Sequence, residues 1–174
     1  RVAALRVGHA LEKGIDLGPV VDAPHLERHL ESVRSAQEEG AELMTGGEAL
    51  QRPSHGHYMS PALFIAQPQH RVAREEIFGP VACVLRADDY EHALALANDT
   101  SWGLVAGICT RSLAHATHFR RHAKVGMTMV NLPTTSEDHH APSGGRKASG
   151  YGPRAQGRQA AEFYTTLKTG YMLA

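Results

Sequence analysis

The chain has 174 residues, with eighteen basic side chains balanced by eighteen acidic ones, so nothing in its charge favours nucleic acid or another polyanionic partner. Its length fits one domain able to bury a core, no apolar run reaches the roughly 18 residues of a membrane span, and the N-terminus lacks the layout of a signal peptide. Two cysteines, Cys83 and Cys109, lie in apolar strand-like runs without CxxC spacing, which reads as reduced thiols of a cytoplasmic protein.

In chain order, residues 1–7 read as the last turns of a helix stopped at Gly8, as expected of a fragment or a processed chain. Asp22 is placed to cap a helix whose face Leu26, Leu30, Val33 and Gln37 define, up to Gly40. Residues 41–45 read as a strand ended by Gly46-Gly47, residues 48–57 as a loop, and residues 58–66 as a second strand broken by Pro61. Residues 81–86 form a compact apolar strand. Asp88 or Asp89 caps a helix through about Ala97. Residues 104–110 follow as a strand, 112–123 as a helix and 125–131 as a strand. This alternation predicts an α/β layer architecture, a mainly parallel sheet flanked by helices, in one partial domain over residues 1–174. Pro153 opens a further helix, and the β-branched and aromatic residues from Phe163 to Thr169 predict a terminal strand. Without a local partner, that strand would pair with another chain or domain.

Chemistry concentrates in two stretches. The first is Glu75-Glu76-Ile77-Phe78-Gly79-Pro80. Read from spacing alone it is a turn with Phe78 in the core, or else an acid and an aromatic ring able to grip a nicotinamide riboside. In the second reading the carboxylate accepts hydrogen bonds from ribose hydroxyls. The other stretch is Ala141-Pro142-Ser143-Gly144-Gly145-Arg146-Lys147-Ala148-Ser149-Gly150-Tyr151-Gly152. Gly145 and Gly150 have the spacing of a phosphate loop, but Tyr-Gly follows instead of Lys-Ser, and no dinucleotide GxGxxG is present. A tight loop, in which small residues let backbone pass close to backbone, is the physical reading.

The two stretches together resemble the C-terminal half of an aldehyde dehydrogenase, from Gly14-Ile15-Asp16-Leu17-Gly18-Pro19 through Phe163-Tyr164. The resemblance implies that Glu76 holds the nicotinamide ribose of NAD or NADP, that Phe78 lies beside the nicotinamide, and that Glu75 supports the loop. It also implies that Leu132, Pro133, Ser136 and His140, with Ser143, Gly144 and Gly145, shape the aldehyde tunnel and the floor of the site. Two positions depart from the family's pattern: Ser143 stands where a Phe is usual, and Ala155 where a Glu is usual. The wording Gly-Ile-Cys-Thr, Asn-Leu-Pro and Tyr-Gly-Pro-Arg looks closest to the ketoglutarate-semialdehyde branch, whose aldehydes carry a carboxylate at the far end.

In the family, a cysteine attacks the aldehyde, hydride passes to the cofactor, and a glutamate activates the water that hydrolyses the thioester. Both residues precede the region that this chain matches. The resemblance therefore implies no catalytic residue in this chain, no activity alone, weak or no cofactor binding alone, and a homo-oligomeric complete enzyme. Cys109 with Thr110 echoes the family's Cys-Thr, but no Gly-Gln precedes it, so a structural thiol is expected there and a core one at Cys83. The twelve histidines read as surface residues, and no metal site is expected, since ligation needs convergent ligands. An alternative reading is a non-enzymatic remnant that acts as an oligomerisation or interaction module.

Overall fold

The computed structural model describes residues 1–136 and 138–174. They cluster into two compact units, Arg1–Arg86 and Ala87–Ala174.

In the first unit, helix α1 (Ala23–Glu38) starts where Asp22 accepts a hydrogen bond from the His25 backbone N–H at 2.8 Å, with proline in the first turn. A carboxylate there satisfies an orphan N–H and meets the positive end of the helix dipole. The helix ends at Glu39, and Gly40 follows with φ +89°, a conformation that glycine adopts at little cost. Its buried face is His29, Val33 and Ala36, one residue away from the Leu30–Val33–Gln37 line that the sequence predicts; Leu26 and Leu30 are partly buried beside it.

Strands β1 (Glu42–Thr45), β4 (Ala62–Ala66) and β5 (Val81–Leu85) form one sheet in the order β1-β4-β5. β1 runs antiparallel to β4, and β4 runs parallel to β5 with Phe64 opposite Cys83. A two-residue ladder joins β2 (Ala49–Leu50) to β3 (Tyr58–Met59), so the expected loop over residues 48–57 contains a short strand. Pro61 separates β3 from β4, as the sequence predicts. Side chains alternate along β4: Ala62, Phe64 and Ala66 are buried, whereas Ile65 is exposed. They pack with Val33, Ala36, Met59 and Val72 into the core of the unit. The crossover from β4 to β5 carries α2 (Arg71–Arg74), a single turn that the sequence reading lacks.

The second unit is a strand–helix–strand unit preceded by a helix. Helix α3 (Tyr90–Asn98) is capped by Asp89, and α4 (Leu113–His122) by Ser112. Between them β6 (Val105–Ile108) pairs in parallel with β7 (Met127–Val130), Val105 opposite Met127. Phe119, Ala123 and Val125 form its core, with Tyr90, Leu94, Ala106 and Ile108 packed against them.

The architecture is thus α/β, and its ladders are mixed: two are parallel and two antiparallel. The terminal segment departs from expectation. Phe163 and Tyr164 close a short helix, α5 (Ala160–Tyr164), and no ladder follows among the described residues. The first residues likewise form one 3-10 turn, Val2–Ala4, in place of a longer helix end.

Candidate functional site

The segment from Glu75 to Pro80 leaves α2 in extended form and turns into β5. The Arg71 guanidinium places two nitrogens on the Glu75 carboxylate, at 2.8 and 3.1 Å, and a third on Ser35 Oγ at 3.1 Å. Its backbone N–H donates to Glu39 at 2.7 Å. Arg71 therefore ties the start of the segment to the C-terminal end of α1 and holds the Glu75 carboxyl below the usual carboxylate range. The resemblance implies a loop-supporting role for Glu75, and in the structure its carboxylate is paired with Arg71.

Ile77 packs against the core. Glu76 and Phe78 both line one cleft of about 370 Å³, together with Glu75 and Ile77 and with His25, Arg28 and His29 from α1. The Phe78 ring is 85 % exposed, an unusual placement for a large apolar side chain and one that a stacking ligand would relieve. The turn closes through hydrogen bonds from Gly79 N–H to the Ile77 carbonyl and from Val81 N–H to the Gly79 carbonyl, both at 2.8 Å.

His29 corrects the expectation that the histidines are surface residues. Only 5 % exposed, it sits where α1 meets this turn, and His70 is buried as well. Burial pushes the His29 pKa down, and its Nδ1 has no hydrogen-bond partner among the described residues. Helical spacing carried the signal, since His29 lies three residues after Leu26 and four before Val33.

In the second unit the expected site residues fall into separate groups. Leu132 and Pro133 follow β7 and are exposed, and Ser136 N–H donates to the Pro133 carbonyl at 3.0 Å. The segment begins at Asn131, in the left-handed region at φ 56°. Its side-chain amide exchanges two hydrogen bonds with the Thr110 backbone, at 2.8 and 2.9 Å, extending the β6–β7 ladder by one side chain. His140 is exposed; its backbone N–H donates to the Asp138 carboxylate at 2.9 Å and its ring pairs with it at 3.0 Å, and the two together lower the Asp138 pKa. Asp138, His139 and His140 bring their ligating atoms within 4.8 Å of one another, all on the surface and all from one short stretch of loop.

Ser143, Gly144 and Gly145 line a small pocket of about 160 Å³ with residues 149–155 and Phe163. The tight-loop reading is evident in the glycines. A methyl group on Gly145 would stand 2.0 Å from the Ser149 carbonyl oxygen, and one on Gly126 only 1.8 Å from that of Gly144. The Arg154 guanidinium donates to the Gly145 carbonyl at 2.6 Å. Lys147 reaches back to the carbonyls of Asn98 and Thr100 at 2.8 and 2.9 Å, beside the C-terminal end of α3.

Cys83 is half-buried, burial raises its pKa, and it faces the Val72 carbonyl at 3.5 Å. Cys109 lies just past the end of β6 and is exposed, beside a groove lined by Tyr90, His115 and Phe119. It is thus a surface thiol, two residues on from exposed Gly107, while Ile108 and Thr110 on either side of it are partly buried.

The acid–aromatic turn and the glycine loop both lie within the span that the model of one oxidoreductase family matches. The family model of the aldehyde dehydrogenase family matches residues 1–170, and the chain belongs to that family. It is 33 % identical to alpha-ketoglutaric semialdehyde dehydrogenase of Bacillus subtilis, over 99 % of this chain and 36 % of that protein. It is 39 % identical to 4-trimethylaminobutyraldehyde dehydrogenase of Rattus norvegicus, over 95 % of this chain and 34 % of the relative. Among solved structures, HpcC from Thermus thermophilus superposes with a TM-score of 0.90 at 38 % identity, covering 97 % of this chain and 33 % of that one. A betaine aldehyde dehydrogenase from Staphylococcus aureus in complex with NAD+ gives 0.88 at 27 % identity, over 94 % and 33 %. The chain thus spans about a third of the length of the relatives it matches.

Proposed function

We propose that this chain supplies the nicotinamide-ribose grip and part of the aldehyde pocket of an NAD(P)-dependent aldehyde dehydrogenase. Glu76 and Phe78 project into one cleft of a size to admit a riboside, and that observation carries the reading. Glu76 accepts hydrogen bonds from the ribose hydroxyls. The face of Phe78 packs beside the nicotinamide, and Ile77 anchors the turn so that neither side chain swings away. When bound there, the cofactor would supply the hydride acceptor for oxidation of the aldehyde. Leu132, Pro133, Ser136, His140 and the loop from Ser143 to Gly145 line the path of the aldehyde. That aldehyde bears a carboxylate at its far end, a reading supported by the likeness to the ketoglutarate-semialdehyde branch.

Neither thiol of the chain suits the nucleophile. Cys83 is held protonated by burial, and Cys109 lies on an exposed strand end. The chain alone therefore oxidises no aldehyde and binds cofactor weakly, and the complete enzyme is a cytoplasmic homo-oligomer. No helix among the described residues is long and apolar enough to cross a membrane. The test is cofactor reduction by the protein encoded by the whole reading frame. Glu76→Gln should raise the cofactor KM or lower kcat by about tenfold or more, the worth of a charge-assisted hydrogen bond. A fully active Glu76→Gln, Phe78→Ala double variant would refute the assignment.

One observation favours a second reading, an oligomerisation or interaction module without chemistry. Leu167, Tyr171, Met172 and Leu173 are almost fully exposed. Concentration-dependent sedimentation by a protein inert toward aldehydes would select it.

A further inference from the structure

The segment that carries Glu76 and Phe78 is tied down at both ends and in its middle. At its far end the Pro80 carbonyl accepts a hydrogen bond from the Ala62 backbone N–H at 2.9 Å, where β4 begins. In its middle Ile77 packs against the core. At its root the tie is made of side chains. Nε and Nη2 of Arg71 fork onto the two oxygens of the Glu75 carboxylate at 2.8 and 3.1 Å, and Nη1 reaches Ser35 Oγ, in the last turn of α1, at 3.1 Å. The single turn of α2 has no side-chain cap at its start; there the Arg71 backbone N–H donates to the Glu39 carboxylate at 2.7 Å. Both members of the Arg71–Glu75 pair are more than half exposed. An isolated pair so placed contributes little, but a two-pronged contact that also grips a second element fixes direction.

We propose that Arg71 is a positioning residue for the cofactor turn: by holding the Glu75 carboxylate against the end of α1, it sets how the next residue, Glu76, is presented to the cleft. This rests on the reading that the cleft takes the nicotinamide end of the cofactor. Arg71 and Glu75 line the same cleft as Glu76 and Phe78, so a strained or loosened root is felt where the ribose would sit. With its guanidinium engaged by Glu75 and Ser35, Arg71 acts through Glu75 and not on the ligand. Its loss frees the root of the segment, and the ordering that the fold now provides is then left to the binding step. The cofactor KM therefore rises, while the chemistry after binding is little changed.

The test uses the protein encoded by the complete reading frame, with the cofactor varied at saturating aldehyde. If the unsubstituted protein reduces neither NAD+ nor NADP+, the functional reading fails and the inference falls with it. In a protein that does reduce cofactor, Arg71→Met keeps the apolar stem and loses the fork. It should raise the cofactor KM about three- to fivefold, with kcat changed by less than about twofold. Arg71→Lys, a point charge that cannot fork, should fall between the two. Glu75→Ala should raise KM about as much as Arg71→Met, and the double variant should be no worse than either single one, because all three remove the same contact. Should Arg71→Met fail to fold, Arg71→Lys takes its place in that cycle. An unchanged KM in Arg71→Met overturns the proposal. So does a double variant whose KM rises by the product of the two single effects, since Arg71 would then act on the cofactor without Glu75. Either result leaves the functional reading intact.

Discussion

The Cα of Gly79 rests on the imidazole face of His29, so closely that a single added methyl group would stand 2.4 Å from Cε1. The glycine in the Phe-Gly-Pro turn is thus explained by what lies beneath it. Gly79→Ala should lower stability by about 1–3 kcal/mol, the usual cost of overpacking, and should disturb cofactor affinity as well. Urea unfolding together with a cofactor titration checks both; a variant neutral in both would show that the turn has room to move.

Phe64 is fully buried at the centre of β4, and its neighbour Ile65 is exposed. Phe64→Ala should destabilise by about 3–5 kcal/mol, combining lost transfer energy with a cavity. Ile65→Ala, on the open face, should cost far less. Equal losses in a denaturant series would mean that the two faces of the sheet are not as unlike as their burial implies.

Lys147 adopts φ 51° and bonds the carbonyls of Asn98 and Thr100. Lys147→Ala removes a cation from the negative end of α3, where such charges contribute about 0.3–1 kcal/mol, and leaves a side chain in the left-handed region. Lys147→Gly loses the same bonds but relieves the backbone. Of the two, the glycine variant should therefore show the higher melting temperature.

Burial depresses the His29 pKa. The unfolded chain thus takes up a proton near pH 6.5 that the folded chain refuses. Stability is fully present above that pH and falls as the pH drops through it, until the folded-state pKa is passed. Asp22, Glu75 and Asp138 have lowered values, and their contributions fade only in the more acidic carboxylate range. Comparing urea midpoints at about pH 7.5 and 5.5 for the unsubstituted chain and His29→Gln should show a larger drop in the former.

Much of the fold was legible from punctuation. Asp22 and Gly40 bounded α1, Pro61 divided β3 from β4, and the apolar run from Val81 gave β5. What escaped were elements defined by distant partners. The turn of α2 has no cap of its own and is held by Arg71 reaching to Ser35, Glu39 and Glu75. Phe163 and Tyr164 have strand propensity but close a short helix; such propensities express packing against neighbours. At the candidate site, family wording singled out Glu76 and Phe78. His29 was passed over because Glu27, Arg28 and Glu31 around it make that part of the helix look solvated.

Asn131 gives the Leu132–Ser136 stretch a fixed origin, since its amide clasps Thr110 at the edge of the parallel pair. Whatever follows that clasp can be lengthened, shortened or recoloured by mutation without disturbing the register of β6 and β7. On the proposed reading of that stretch as part of the aldehyde path, substrate preference can change there while the framework beneath stays put.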